Sequence, residues 1–221
     1  MPKTDNSTPM PSSEYDKQIA GSMPYYNEFG AQAIDLVKQV IPDAKSWLDT
    51  GCGTGTLGLS VLESFPGISL TLADPSEAML EKAREKYAPG QASFITAGSQ
   101  ELDFSDRFDV ITAIQCNHYM KEDERQKAVA SFYKALHKGG IFISFENICS
   151  DDPFIADLEL RRWERFRIGH GFDDPGFRSR MNANYFPISV EKHFSLMKQA
   201  GFSHISLCWR SYMQMGIYGI K

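Results

Sequence analysis

The sequence lacks the features that mark several special classes of protein. It has no basic excess, since 23 Lys and Arg against 28 Asp and Glu give a formal net charge of −5. A general nucleic-acid binder normally carries a basic footprint, so nucleic-acid binding is not expected. No run of the sequence reaches the roughly 18 apolar residues that a membrane span needs, so no membrane partner is expected.

Cysteine and histidine are also sparse. The chain has 4 Cys and 5 His. The cysteines are Cys52, Cys116, Cys149 and Cys208, and none forms a C-x-x-C pair. Such scattered cysteines predict reduced thiols without a disulfide framework. The histidines show no metal-ligand spacing either, so no metal is expected.

The first 13 residues are polar and rich in Pro, Ser and Thr, without the apolar core of a secretion signal. They predict a flexible tail, 1–13, on a cytoplasmic protein. The remainder, 14–221, has a length that suits one domain. Within it we expect an N-terminal helical cap over 14–41 and a lid insertion over 150–187.

Strands and helices alternate through the middle of the chain. Hydrophobic periodicity predicts helices over 13–21, 27–40, 54–64, 76–87 and 122–137, and strands over 46–50, 68–73, 92–96, 108–114 and 141–145. After the insertion come a helix, 189–200, and two β-rich runs, 204–210 and 213–220, close enough to form an antiparallel hairpin. The pattern predicts an α/β fold with a seven-stranded, mostly parallel sheet and helices on both faces.

A glycine-rich loop follows the first strand. It carries Gly51, Gly53 and Gly55 after Asp49, and the acid Asp74 ends the second strand, 19 residues after Gly55. Glycines there allow a ligand to approach the backbone, and an acid at that place can bind both ribose hydroxyls of an adenosine.

Three interpretations of this loop are open. The glycines could serve only a tight turn, or residues 53–58 could be the G-x-G-x-x-G loop of an NAD-dependent oxidoreductase. A dinucleotide normally spans two mononucleotide-binding halves, whereas this sequence ends in a hairpin. Asp49 would repel a pyrophosphate but suits a cationic neighbour, which favours S-adenosylmethionine (SAM).

At this point the sequence resembles class I SAM-dependent methyltransferases, which have a Rossmann-like fold. The residues that carry the resemblance run in order along the chain: Leu48–Gly55, Asp74-Pro75-Ser76 with Met79, Gly98-Ser99-Gln100, Phe108–His118 and Ala135–Gly140. The resemblance implies SAM as cofactor, held by Asp49, Gly51, Cys52, Gly53, Gly55, Asp74, Pro75, Met79, Ser99, Gln100, Gln115, Tyr15 and Tyr26. Ser99 stands where the family often has Asp, which leaves the adenine contact the least defined.

Two residues are candidates for a general base. His118 follows the fourth predicted strand, in the loop that borders the transferable methyl in the resembled fold, and imidazole titrates near neutrality. Glu146 ends the fifth predicted strand and is the second candidate. For both residues the alternative is a structural role, because many methyltransferases only orient their acceptors.

The predicted lid combines aromatic residues with arginines, which suits an organic acceptor with an acidic group. Arg178 and Arg180 are the candidates for binding that group, and Tyr119 is a further substrate contact. A helical pair packed on the sheet edge is the alternative for this segment. The expected partner is a small-molecule substrate, with a homodimer left open.

A second resemblance is looser. Pro24-Tyr25, Arg178-Ser179 and residues 189–193 are similar to segments of carboxy-S-adenosylmethionine synthases, which modify SAM itself. Methyl transfer to a small organic acceptor is the main hypothesis. The alternatives are a SAM-modifying enzyme of this second kind, an NAD-dependent oxidoreductase, and a SAM-binding protein without catalysis.

Overall fold

The computed structural model describes residues 5–221, without the side chain of Asn182. Its helices are α1 Tyr15–Ser22, α2 Tyr26–Val40, α3 Thr56–Ser64, α4 Glu77–Arg84, α5 Glu122–Ala135, α6 Pro153–Gly169, α7 Phe177–Ala183 and α8 Val190–Ala200. Its strands are β1 Ser46–Thr50, β2 Ser69–Asp74, β3 Ser93–Thr96, β4 Phe108–Ile114, β5 Leu136–Asn147, β6 Ser203–Ser211 and β7 Gln214–Ile220. None of the described helices is long and apolar enough to cross a membrane.

The seven strands form one sheet in the order β3-β2-β1-β4-β5-β7-β6. Strands β1 to β5 pair in parallel, and β7 lies antiparallel between β5 and β6. The predicted fold class is therefore confirmed, including the C-terminal hairpin. That hairpin occupies the place where a dinucleotide-binding protein would continue with a second βαβαβ half.

Side chains of the central strands alternate between two hydrophobic cores, one on each face of the sheet. Trp47 and Val110 belong to one core, whereas Leu48 and Ile111 belong to the other. Both faces are covered by helices, because parallel strands joined by helical crossovers bury both of their sides. The rings of Phe29 on α2 and Phe145 on β5 stack 4.9 Å apart across the first core.

The structure differs from the sequence prediction around residue 136. The helix predicted for 122–137 ends at Ala135, and β5 already begins at Leu136, which pairs with Phe108. Phe108 pairs with Leu136 and Val110 with Ile141, so the β4–β5 pairing has a bulge that accommodates residues 137–140 of β5. Strand β5 is consequently 12 residues long, where five were predicted.

The insertion contains two helices for which the sequence showed no clear periodicity. Helix α6 nevertheless has a strong start signal, because the Asp152 side chain accepts from the backbone N–H groups of Phe154 and Ile155, and Pro153 occupies the first turn. Some apolar side chains of α6 pack against the rest of the domain, and others are exposed to solvent. Trp163 is buried, whereas Phe154 is 69% exposed, and this division weakens the amphipathic pattern.

Candidate active site

A cavity of about 740 Å³ lies where β1, β2 and β4 end, and we call it the large cavity. It is lined by all the predicted cofactor residues except Gly55, namely Asp49, Gly51, Cys52, Gly53, Asp74, Pro75, Met79, Ser99, Gln100, Gln115, Tyr15 and Tyr26. Tyr119 lines it as well. The carboxyl ends of parallel strands share one edge of the sheet, which explains why residues far apart in sequence meet here.

The glycine loop brings its backbone directly to this cavity. Gly51 and Gly53 both have left-handed backbone conformations, with φ of 64° and 54°, which side-chain-bearing residues rarely adopt. At Gly51 an added Cβ would also collide with Cys116, so the loops after β1 and β4 touch at this residue. Gly55 lies behind the loop, where it contacts Ala83 and Tyr87 instead of the cavity.

Asp74 is held in place by two backbone donors. Gly53 donates its N–H to Oδ2 and Ser76 donates its N–H to Oδ1, both at 2.9 Å. A carboxylate can accept about four hydrogen bonds, so two acceptor positions remain for a ligand. Burial raises the pKa of Asp74 despite the two bonds. The side chain is thus a fixed acceptor at the wall of the large cavity.

Asp49 is a buried acid with little compensation. Thr112 Oγ1 donates to it at 2.7 Å, and the residue is only 3% exposed. Burial raises the pKa of Asp49 to about 7, the Thr112 bond opposes this shift, and the nearby charge of Asp74 adds to it. A cation bound in the large cavity would remove this penalty.

Helix α1 is fastened to the glycine loop and carries an aromatic wall. Asp16 accepts from Thr54 Oγ1 at 2.5 Å and from Lys86 Nζ at 2.6 Å. On the cavity side, the hydroxyls of Tyr15 and Tyr26 lie 3.4 Å apart with their rings edge to face. Burial raises the pKa of Tyr26 to about 12, so this wall is uncharged.

Residues 5–12 add a wall that the sequence did not predict. Asn6, Ser7 and Thr8 line the large cavity, and the carbonyl of Asp5 accepts from Ser76 Oγ at 2.8 Å. Sequence analysis predicted a flexible tail over 1–13, of which residues 1–4 lie outside the described residues. The described part packs against the domain, with Met10 only 7% exposed.

A second cavity of about 40 Å³, the small cavity, adjoins the first. The two share four residues: Thr8, Tyr15, Gln115 and Tyr119. The small cavity is further lined by polar and aromatic residues of the loop after β4, of the end of β5 and of the insertion: His118, Asn147, Trp163, Arg167, Phe177, Arg180 and Tyr185. The insertion therefore forms one side of a pocket next to the predicted cofactor site.

The two candidate bases form one buried pair. Glu146 is 0% exposed, and its Oε2 accepts from the backbone N–H and ring Nδ1 of His118, both at 3.0 Å. Its Oε1 accepts from the N–H of Asn117 and the hydroxyl of Ser144. Burial alone would raise the pKa of Glu146, but the His118 bond and the surrounding positive groups outweigh it and lower the pKa. Glu146 lines neither cavity, so it positions His118 and the loop.

His118 itself reaches the small cavity. Its Nε2 lies 3.3 Å from Asn147 Nδ2, and its ring stacks on Tyr185 at 5.3 Å. With Nδ1 donating to the Glu146 carboxylate, Nε2 carries a lone pair, the tautomer that a base requires.

The two candidate arginines have different surroundings. Arg180 lines the small cavity and pairs with Asp174, which also contacts Arg167 at 3.5 Å. Two guanidinium groups thus share one carboxylate. Arg178 lines neither cavity and is bound at 2.8 Å to Glu164 on α6 and at 3.0 Å to Asp157. The structure brings Arg180, but not Arg178, to the predicted acceptor site.

Arg125 is a functional candidate that sequence reasoning missed. It is 2% exposed, and Nη2 donates to the backbone carbonyls of Asn117, Met120 and Phe186, the last at 2.6 Å. It therefore ties the loop after β4 to the returning end of the insertion. One feature of the sequence could have identified Arg125: it is a charged residue on the buried face of α5, three residues before the buried Ala128.

The sequence model of a family described as a methyltransferase domain matches residues 48–140, the segment that holds the glycine loop, Asp74 and His118. The predicted resemblance to class I SAM-dependent methyltransferases is confirmed. The expectation of SAM as cofactor agrees with this match, and solved structures of the same fold contain S-adenosylhomocysteine (SAH) or SAM.

Relatives extend the similarity beyond this segment. The chain is 27% identical over 203 residues to a carboxy-S-adenosyl-L-methionine synthase of Campylobacter lari, covering 88% of this chain and 85% of the relative. It is 27% identical over 201 residues to a synthase of the same name from Trichodesmium erythraeum, covering 86% and 78%. Sequence similarity therefore extends well beyond residues 48–140.

Solved structures share the fold at lower identity. A putative O-methyltransferase of Nostoc punctiforme has a TM-score of 0.69 and 19% identity, over 95% of this chain and 60% of that one. DesVI of Streptomyces venezuelae has a TM-score of 0.67 and 17% identity, over 95% and 97% of the two chains. This chain thus spans less than two thirds of the length of the first structure and nearly all of the second.

The Asp74 geometry predicts a strong effect on cofactor binding. A charged hydrogen bond left unmade costs about 1.5–3 kcal/mol, so Asp74→Ala should weaken SAM binding about 10- to 150-fold. Calorimetry on folded protein measures this affinity, with the exposed Asp103→Ala as control. An unchanged affinity in Asp74→Ala would remove the ribose assignment.

The raised pKa of Asp49 predicts that binding depends on pH. Only the ionised carboxylate attracts a cation, and the bound cation lowers its pKa, so affinity should be full above pH 7. Below that pH it should fall by up to about tenfold per unit. Calorimetry with SAM from pH 5 to 8 measures this fall in affinity, and the Asp49→Asn variant should not show it. A fall in affinity that survives in Asp49→Asn would contradict the assignment.

SAH separates the two positive groups of SAM, because it lacks the sulfonium charge and keeps the ammonium group. If SAH affinity also falls below pH 7, Asp49 is assigned to the ammonium group.

Proposed function

We propose that the chain transfers a methyl group from SAM to a small organic acceptor that carries an acidic group. The observation that carries this proposal is the junction of the two cavities. The large cavity is lined by all the predicted cofactor residues except Gly55. The small cavity shares Gln115, Tyr119, Tyr15 and Thr8 with it and is lined by two arginines and a histidine.

In this proposal each wall of the large cavity has a part in holding SAM. Asp74 accepts from the ribose hydroxyls, and Asp49 faces a positive group of the methionine end. Tyr15 and Tyr26 line the same cavity, and aromatic rings there would attract a sulfonium. Ser99 lines the adenine region, with its hydroxyl 2.8 Å from that of Thr50.

SAM supplies an activated methyl group, so the sulfur–methyl bond breaks as the acceptor forms the new bond and SAH leaves. The protein aligns the acceptor and, where the acceptor loses a proton, takes up that proton. We assign this last role to His118, because the residue lines the small cavity and Glu146 fixes its ring through Nδ1.

The His118 assignment predicts a loss of turnover. Removing a general base typically costs about 10²- to 10⁴-fold, so His118→Ala should lower kcat by this range and leave SAM affinity unchanged. His118→Gln keeps a hydrogen-bond donor for the buried Glu146, and it should fold normally but show the same loss. Near-normal kcat in either folded variant would show that the acceptor needs no base from His118.

Arg180 and Arg178 form a matched pair of variants. If Arg180 binds the acidic group of the acceptor, Arg180→Gln should raise the acceptor KM about 10- to 150-fold, the value of a lost charged hydrogen bond. Arg178→Gln removes the same charge two residues away, outside both cavities, and should leave KM unchanged. Steady-state kinetics on an acceptor found by panel screening measures both. Equal effects of the two changes, or a preference for neutral acceptors, would contradict the assignment.

A second candidate function is synthesis of a carboxylated SAM. The relatives support it, and so does the size of the small cavity, which has room for a few non-hydrogen atoms such as one carboxylate beside Arg180. Mass spectrometry of the ligand retained through purification tests both functions. SAM or SAH supports methyl transfer, whereas a ligand heavier than SAM by one CO₂ unit supports the second function.

A cytoplasmic location, a homodimer and the division into cap, lid and domain stay predictions. Size-exclusion chromatography with light scattering tests the homodimer, because it gives the oligomeric state of the intact chain.

A further inference from the structure

Gln115 has a buried side-chain amide without a partner. The residue is 7% exposed, yet neither its Nε2 nor its Oε1 forms a hydrogen bond. Among the side chains of residues 5–221 with such unpartnered buried atoms, it alone lines either of the two cavities. An unpaired buried amide is costly, so a native structure that keeps one gives reason to seek a ligand for it.

The backbone at Gln115 carries a second cost. Its φ is 56°, in the left-handed region that residues other than glycine rarely adopt. The conformation is fixed by the N–H of Gln115, which donates to the Phe145 carbonyl at 2.7 Å. This left-handed conformation turns the chain directly after β4. Strain of this kind persists where surrounding structure enforces it, and it clusters at ligand-binding sites.

The position of Gln115 indicates which ligand meets the amide. Asp49 and Asp74 line only the large cavity, and Arg180 and His118 line only the small one, whereas Gln115 lines both. A side chain at this junction faces the place where an acceptor must approach the cofactor. A contact to the cofactor alone would not require exposure to the small cavity.

We propose that Gln115 is a specificity-determining residue that binds the acceptor through a neutral group with a hydrogen-bond donor and acceptor side by side, as in a carboxamide. Such a group satisfies Nε2 and Oε1 together. A carboxylate satisfies only Nε2, because an ionised acid has no donor. The proposal rests on the methyltransferase function. It gives the acceptor two groups, an acidic group at Arg180 and an uncharged amide-like group at Gln115.

The first test uses the free protein and needs no ligand. Gln115→Met keeps the length of the side chain and removes both polar atoms, so the variant should have a higher midpoint of thermal unfolding than the wild type. The matched control is Gln39→Met, the same change at an exposed position of α2, which should leave the midpoint unchanged. A lower midpoint for Gln115→Met would show that the amide is satisfied in the free protein, which overturns the proposal.

The second test uses acetamide and acetate as probes of the junction. With enzyme saturated by SAH, ligand-observed NMR should detect acetamide. Gln115→Met should lose this signal but keep any acetate signal, because acetate would bind at Arg180. Gln115 then serves the acceptor and not, as the resemblance implied, the cofactor, so SAH affinity should stay within about twofold in the variant. An acetamide signal that survives in Gln115→Met, or a variant that loses SAH, would overturn the proposal. Failure of SAH to bind the wild type would instead count against the proposed function, and the unfolding test would still decide the role of Gln115.

Discussion

The buried carboxylate of Glu146 determines the shape of the site. Taking a charge out of water is expensive unless donors surround it, and here four of them do so: two backbone N–H groups, the Ser144 hydroxyl and the His118 ring. Three of the four come from the chain directly after β4, and the Ser144 hydroxyl comes from β5 itself. Glu146, near the end of β5, therefore fixes the loop after β4. It also fixes the residues of this loop that lie between the two cavities.

Glu146 and Asp49 show how the same burial leads to opposite results. Both carboxylates are almost inaccessible, yet the pKa of Glu146 is lowered and that of Asp49 is raised to about 7. The difference lies in the donors, because Asp49 has one side-chain donor, Thr112, and a second acid nearby. Glu146 is satisfied by the protein alone. Among residues 5–221 no positively charged group pairs with Asp49, as expected of a residue that meets its partner in a ligand.

The sequence alone was enough to predict the sheet and the residues that line the large cavity, because both depend on local signals. Strand β1, the glycine loop and Asp74 follow one another within 30 residues, and parallel pairing then places them at one edge. The hairpin was equally predictable, since the two predicted β-rich runs, 204–210 and 213–220, leave only Ser211 and Tyr212 between them for a tight turn. The end of α5 was misplaced because the bulge beside Phe108 depends on pairing with another strand.

The remaining features depend on tertiary contacts that no local pattern encodes. Arg178 and Arg180 lie on the same short helix, and only the positions of Glu164 and Asp174 determine which one reaches the pocket. Glu146 looked like a residue at the end of a strand facing the ligand, but the donors around it come from a distant loop. Residues 5–12 resemble a tail in composition, and their packing follows from a contact with Ser76 at 71 residues' separation.

That contact has a consequence for how ligands enter and leave. Ser76 caps α4 by accepting from the Met79 N–H, and the same hydroxyl donates to Asp5. Segment 5–12 has no regular secondary structure, so its release costs far less than unfolding the sheet. A local opening of this segment would uncover one wall of the large cavity, because Asn6, Ser7 and Thr8 line it. The loop after β4, which is fixed by Glu146, would stay in place during this opening.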